Sequence, residues 1–347
     1  MIEVLKPGLF TTIQDLGRWG YQSFGVGIAG ALDPFALSAA NLLVGNPEGA
    51  AGLEITLQGL SLRFHRESAV AISGADLDPR LDGLSVPTWT SVLAPSGSTL
   101  SFKGRNSGVR AYLAVSGGID VPQVMGSRST YLLGKFGGLE GRALKAQDLL
   151  PVAPQPVNFR EWVGRSFPEE MRPLYHKNPT LRVVLGPFDE FFSEESKKAF
   201  LSTPYTITAQ SDRMGYRLQG TQITRQRKEE LITCGLAFGT VQVPPNGQPI
   251  LLLVDRQTIG GYPIIATMIH ADLPLVAQSA PGDTLRFSAV SPDEGRQAYI
   301  RLWGNLDKFK HSAFSDQLRS EKPNSGPHLL YPYSRFLFCH IIIYVFS

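Results

Sequence analysis

Short apolar runs of four to eight residues recur along the chain, each closed by Gly, Pro, Asn or Asp. They include LSLRFH (60–65), AVAIS (69–73), STLSF (98–102), VRAYLAVS (109–116), LRVVLG (181–186), YTITAQ (205–210), TVQV (240–243), ILLLV (250–254) and TLRFSAV (284–290). Runs of this length, rich in β-branched and aromatic residues and separated by turn formers, predict strands of a barrel or sandwich. The fold is therefore expected to be mainly β. Two stretches break the pattern. DPFALSAANLLVGN (33–46) carries Asp33 as an N-cap, Pro34 in the first turn and Gly45 at the stop, and DEFFSEESKKAF (189–200) has acids early and lysines late, so both predict helices.

The strand pattern repeats. GSTLSFKGRNSGVRAYLAV (97–115) matches GDTLRFSAVSPDEGRQAYIRL (282–302) in a G-x-T-L-x-F start and a later Arg before Ala-Tyr. Upstream, TTIQDLGRWGYQSFG (11–25) matches TITAQSDRMGYRLQG (206–220). Two blocks in the same order, separated by 76 residues in one copy (Tyr21 to Gly97) and 66 in the other (Tyr216 to Gly282), predict two β-domains related by internal duplication. A chain of 347 residues also exceeds the roughly 250–300 that one core usually serves. The expected organisation is a first β-domain over 1–155, a Pro-rich polar linker over 156–180, a second β-domain over 181–305 and an atypical tail over 306–347. The tail ends FLFCHIIIYVFS, whose twelve residues fall short of the roughly 20 that span a bilayer. An aberrant extension, a membrane-surface anchor and a partner-docking segment all stand open for it.

Composition narrows the function classes. Apolar residues make up 43% and charged residues only 18%, which excludes a disordered chain. The net charge of +3 sits largely in the tail, where five Lys/Arg face three acids, leaving 28 against 27 in the body. No basic stripe is left to grip nucleic acid, and no membrane association is expected of the body. Two cysteines, Cys234 and Cys339, make neither a metal cluster nor a disulfide framework, so a reducing cytoplasm is the expected location and no metal is expected. MIEVLKPGLFTTIQD lacks the apolar core of a secretion signal, and none is expected.

Familiar catalytic motifs do not occur: no G-x-x-x-x-G-K-[ST] loop, no G-x-S-x-G elbow, no H-E-x-x-H and no C-x-x-C. His65, His176 and His270 lack ligand spacing and read as surface or satisfied polar residues. Gly-rich loops carrying acids, arginines and amides remain. IQDLGRWGYQSFGVGIAGALDP packs Gln14, Asp15, Arg18 and Gln22 among five glycines, which let backbone approach a ligand closely. Asp15 and Arg18 could equally pair with each other and pin a turn. Ser73-Gly74 and Ser116-Gly117 follow apolar strands and offer backbone N–H groups for an anion nest, or are ordinary hairpin turns. MGSRSTYLLGKFGGLEGR (125–142) brings Arg128 and Tyr131 on a locally basic segment that either closes over an anion or is a solvated loop. In the second half, Asp212 and Arg213 stand where the first half has Gln14 to Arg18, and Asp255, Thr258 and Tyr262 surround the end of a buried strand.

Taken together, GLFTTIQDLGRWGYQSFGVGIAGALDPFALSAANLLVGN, SGAD, GVRAYLAVSGGIDVPQVMGSRSTYLLGKFGG, SDRMGYRLQG and VPPNGQPILLLVDRQTIGGYP resemble, in order and over residues 1 to about 305, the family of the 5-oxoprolinase C subunit, also called allophanate hydrolase subunit 2. That family includes the carboxyltransferase domain of urea carboxylase and a bacterial antagonist of a kinase inhibitor. Leu32 departs from it, standing where a methionine is expected before Asp-Pro. The resemblance implies two cyclophilin-like β-barrel domains with a few short helices. It also implies work with B-type and A-type companion proteins of the 5-oxoprolinase to open the 5-oxoproline lactam to glutamate with ATP, as Mg-ATP, bound by this chain or by a partner. In such a scheme ATP activates the amide oxygen, cationic and N–H donors stabilise it, and an acid or base manages the proton. Asp15, Arg18, Asp212, Arg213 and Asp255 are the expected catalytic residues. Gln14, Gln22, Ser73, Gly74, Ser116, Gly117, Arg128, Tyr131, Thr258 and Tyr262 are the expected substrate-binding ones. No biotin-accepting lysine occurs, so a carboxylase role would need a carrier on another chain. A non-catalytic regulator that sequesters a kinase inhibitor is the third reading.

Overall fold

In a computed structural model the described residues are 1–227 and 231–320. The chain divides into two compact units, Met1–Leu306 and Asp307–Ser347. Cys339 and the apolar terminus lie outside the described residues.

The first half of the larger unit contains β1 (Ile2–Pro7), β2 (Phe10–Gln14), α1 (Pro34–Leu43), β3 (Gly52–Thr56), β4 (Leu60–Phe64), β5 (Ser68–Asp76), β6 (Pro79–Leu81), β7 (Leu84–Ser85), β8 (Ser91–Ala94), β9 (Thr99–Phe102), β10 (Ser107–Val115) and β11 (Leu149–Leu150). They form a six-stranded sheet, β11-β1-β4-β9-β6-β7, and a five-stranded sheet, β2-β3-β10-β5-β8. The core lies where Val4, Leu62 and Leu100 of one sheet meet Leu53, Ile72 and Leu113 of the other. α1 covers β5 and β10, so these central strands are buried on both faces and read as continuous apolar runs rather than alternations. Asp33 caps α1, its carboxylate accepting from Ala36 N at 2.9 Å, a contact worth about 1 kcal/mol. Phe35 packs edge-on against Phe167 of the connecting segment.

The second half contains β12 (Thr180–Leu185), α2 (Glu194–Ser202), β13 (Tyr205–Ile207), β14 (Gly215–Gln219), β15 (Cys234–Gly235), β16 (Thr240–Gln242), β17 (Ile250–Leu252), β18 (Ile259–Gly260), β19 (Ile264–Met268), α3 (Leu273–Ala277), β20 (Thr284–Ala289) and α4 (Pro292–Ser320). Seven strands close a barrel, β12-β19-β16-β17-β14-β13-β20, the parallel pair β12 and β20 completing the ring with Thr180 opposite Arg286. β15 and β18 form a separate ribbon. The barrel core is built from Val183, Phe200, Val241, Leu251 and Phe287, and Leu32 of the first half is part of it.

The fold is thus mainly β with few helices, and both predicted helices form. The longest helix, α4, is not anticipated. Its start is a capping box: Glu294 accepts from Ser291 N at 2.7 Å, and Glu294 N donates to Ser291 Oγ at 3.2 Å. The two matched blocks accordingly part company after their shared G-x-T-L-x-F strand, for Tyr112 lies in β10 and Tyr299 in α4. The other pair of blocks keeps a finer likeness. Asp15 accepts from Gly17 N and Asp212 from Met214 N, both at 2.8 Å, so each copy has an Asx turn beside a buried arginine, Arg18 or Arg213. In the smaller unit, within α4, Ser312 Oγ donates to Phe309 O at 2.9 Å.

Candidate functional site

The Gly-rich loop after β2 is held down by the segment 124–131. Asp15 is its hub: the carboxylate accepts from Gly17 N at 2.8 Å, Ser127 Oγ at 2.7 Å, Arg128 N at 2.6 Å and Ser129 Oγ. Arg18 does not bond Asp15. Its Nη2 donates to Ser129 O at 2.7 Å, Nε reaches Val124 O at 3.4 Å, and the guanidinium lies 4.9 Å from the Phe136 ring centroid. Arg18 is fully buried, and its Nη1 has no partner among the described residues; nor has Oε1 of Gln14, although Gln14 Nε2 donates to Thr12 and Thr130. Burial lowers the guanidinium's affinity for its proton, against the pull of Asp15 and Asp255. Tyr131 closes the bed against Phe136 at 5.3 Å. At Gly27 a Cβ would lie 3.0 Å from the Tyr131 ring, so a side chain there would press on that ring.

The returning arm of the loop meets the barrel. Arg213, just ahead of β14, donates from Nη2 to Gly30 O at 2.6 Å, from Nε to Asp255 at 2.9 Å, and from Nη1 to Glu54. Glu54, in the middle of β3, also accepts from Leu32 N and Tyr112 Oη, both at 2.9 Å. Arg110 of β10 lies 3.9 Å from Glu54 and donates to Tyr216 Oη at 3.0 Å and Ala277 O at 2.7 Å. A chain of alternating charges, Asp255, Arg213, Glu54 and Arg110, therefore runs through the seam between the halves. Burial opposes ionisation of Glu54, but Arg213 and Arg110 hold its carboxyl below the usual range. For Asp255 burial outweighs Arg213 and moves the carboxyl up. Beside this chain Asp33 accepts from Tyr175 Oη at 2.6 Å and Gln278 Nε2 at 3.4 Å, and burial pushes its carboxyl up to about 6.

Of the expected site residues, Gln14, Asp15, Arg18 and Tyr131 gather in the loop bed and Arg213 and Asp255 at the seam, with Arg18 close enough to feel the Asp255 charge; Arg128 contributes its backbone N–H to the bed while its side chain turns out to Asp120. Ser73 and Gly74 lie behind the seam: Ser73 Oγ donates to Ala36 O at 2.6 Å, and a Cβ at Gly74 would strike Arg110 O. Others fall apart from it. Asp212 is exposed in its turn, and Gln22 lies in the outer single turn Gln22–Phe24. Ser116 and Gly117 pack where Gly117 N meets Asn46. Thr258 offers its carbonyl to Leu236 N and Tyr262 its carbonyl to Gln242 on the outer ribbon side. The sequence reading misses Glu54, Arg110, Tyr112 and Gln278. The available signal was a charge inside an apolar strand, Glu54 between Leu53 and Ile55 and Arg110 within VRAYLAV. Among the described residues no group of three or more His, Cys, Asp or Glu side chains could hold a metal ion, and no helix is long and apolar enough to cross a membrane.

This chain, a barrel joined to a two-sheet half, belongs to the carboxyltransferase-domain family, described as "Carboxyltransferase domain, subdomain A and B", which matches residues 24–289. Within it, the 5-oxoprolinase C subunit of Escherichia coli (strain K12) is 43% identical over 298 residues, covering 86% of this chain and 94% of that protein. The 5-oxoprolinase C subunit of Haemophilus influenzae is 36% identical over 319 residues, covering 92% of this chain and 98% of that one. The crystal structure of the K. lactis urea amidolyase superposes with a TM-score of 0.84 at 31% identity; 89% of this chain is covered, but only 20% of that much longer protein.

Proposed function

We propose that the chain is the C subunit of a cytoplasmic 5-oxoprolinase, which opens the lactam of 5-oxoproline to glutamate together with B-type and A-type companions. The observation that carries this reading is the 43% identity extending over 94% of a 5-oxoprolinase C subunit. The seam supplies suitable groups. Asp255, whose carboxyl burial moves up, is the candidate proton carrier, and Arg213 positions it. The unpartnered Nη1 of Arg18 is the candidate donor to the amide oxygen, with Gln14 and Tyr131 beside it. Asp15 orients Arg18 indirectly, through their shared hold on Ser129. Asp212, Ser116-Gly117, Gln22, Thr258 and Tyr262 belong to this proposal only as outer contacts. The seam does not favour a triphosphate, because Arg213 is committed to Glu54, Asp255 and Gly30 O, and Arg110 Nη1 to Tyr216 and Ala277 O, while Glu54 and Asp255 add negative charge there. We therefore assign the nucleotide to one of the companions.

In the same reading the two halves are cyclophilin-like domains over 1–155 and 181–305 that arose by duplication, with 156–180 as the link. The shared Asx turn and buried arginine support this. Combining the purified chain with both companions, ATP and 5-oxoproline is expected to release glutamate, and no release with the full set present overturns the reading. The likeness to the K. lactis urea amidolyase favours one alternative, a carboxyltransferase component acting with a separate biotin carrier. Turnover that requires bicarbonate and a biotinylated carrier would select it.

A further inference from the structure

One rim of the barrel carries polar groups that the scheme above does not use. β16 lies between β17 and β19, with Val241 opposite Leu251 and Thr240 opposite Thr267, so the residue stretches before β16 and after β17 and β19 emerge together. Phe238, Arg256 and His270 stand on these three stretches. Gly215 pairs with Leu252, which brings Arg213 to the same rim.

Arg256 is only 4% exposed. Its Nε donates to Leu236 O at 2.9 Å and its Nη1 to Leu253 O at 3.2 Å; no carboxylate among the described residues bonds it. Asp255, its neighbour in the chain, spends its oxygens on Arg213. Among the described residues the hydrogen-bond partners of this buried charge are thus two carbonyl oxygens, with Asp255 acting on it only at a distance, an arrangement that a directly bonded anion would relieve. The Phe238 ring centroid lies 6.0 Å from the guanidinium carbon and 6.2 Å from the ring of His270, so both side chains flank one aromatic. His270 is partly exposed; its carbonyl accepts from Leu273 N, and no hydrogen bond joins its imidazole to a described side chain. Arg256 faces it from the end of β17, and Tyr299 of α4 lies 6.5 Å away. The nearest acid in its own segment, Asp272, is turned to Arg182, whose Nη2 donates at 2.5 Å. Burial takes Arg256 down to about 10 against the pull of Asp255, and burial together with the Arg256 charge takes His270 down to about 4.

We infer that Arg256 and His270 form an oxyanion subsite that takes a carboxylate-sized group beside Phe238. This deepens the reading above only in naming a source, the carboxylate of 5-oxoproline; free phosphate offers the same chemistry. A bound anion favours the imidazolium form of His270, so affinity for a permanently ionised carboxylate rises as pH falls.

Titration calorimetry of the full chain with 5-oxoproline, with 2-pyrrolidinone (the same lactam without a carboxylate) and with inorganic phosphate tests the site. 5-Oxoproline is expected to bind about tenfold tighter than 2-pyrrolidinone, and Arg256→Gln to remove that advantage. The affinity for 5-oxoproline is expected to rise about threefold between about pH 7.5 and pH 5.5, and His270→Gln to abolish the rise. Arg256→Lys, which keeps the charge without the fork, serves where the Gln variant does not fold, with a partial loss expected. Phosphate binding that follows Arg256 makes phosphate the source and leaves the subsite standing. Equal binding of the two lactams, or affinities that ignore both residues, overturns the inference. The two proposals fail separately, since oxyanion affinity that follows Arg256 survives an absence of glutamate release.

Discussion

Arg213 shows what a single side chain does at the seam. It neutralises Glu54 and Asp255 and fixes Gly30, so Arg213→Met strands two buried carboxylates and is expected to cost about 3–5 kcal/mol in urea unfolding. Asp255→Asn keeps the shape and isolates the chemistry. With companions present, it is expected to lower turnover more than tenfold, on the order of the loss of a positioned proton carrier, while the melting temperature stays within a few degrees. Asp33 gives a pH signature. Its folded carboxyl titrates at about 6 rather than 3.8, so the fold holds this proton longer than the unfolded chain does. The stability it lends is complete below about pH 4 and is lost as pH rises to about 6, on the order of 3 kcal/mol over the window. Measured by urea unfolding at several pH values, the advantage of wild type over Asp33→Asn should shrink along that rise. At this scale the sequence made Asp15, Arg18, Arg213 and Asp255 visible because they sit in Gly-rich loops. Glu54 and Arg110 carry only the weaker signal of a charge inside an apolar strand, and the role of Glu54 shows once Arg213, 159 residues away, is seen to meet it.

At the scale of elements, turn chemistry and apolar runs made the strands and both capped helices legible. α4 escapes the pattern because its first residues fall within a block that matches a strand-rich segment of the first half, although Ser291 and Glu294 carry the capping-box spacing. The loop of residues 15–30 depends on backbone crossing backbone. Gly30 has φ +89°, and a Cβ there would lie 2.9 Å from Gly17 N. Gly30→Ala is therefore expected to cost about 1–3 kcal/mol and to disturb the carbonyl that Arg213 grips. Circular dichroism melts and the reconstituted assay together check this, with activity falling more than the residual fold accounts for.

For the whole molecule, paired blocks in the sequence carry the proposed duplication, whereas the manner in which the halves are joined leaves no mark there. A chain ending at Ser320 retains every described strand and helix, and it is expected to melt and to assemble with companions as the full chain does. A loss of either property on removing 321–347 would give that segment a role. The halves themselves do not separate so cleanly. Leu32 is a first-half residue lodged in the barrel core, and Glu54 draws its hydrogen-bonded cation, Arg213, from the second half, with Arg110 of its own half 3.9 Å away. During synthesis the amino-terminal sheets emerge from the ribosome well before the barrel does. Until that later sequence is made, Leu32 lacks its barrel neighbours and Glu54 lacks Arg213, so the seam on which the proposed chemistry depends can close only after the second half has been synthesised.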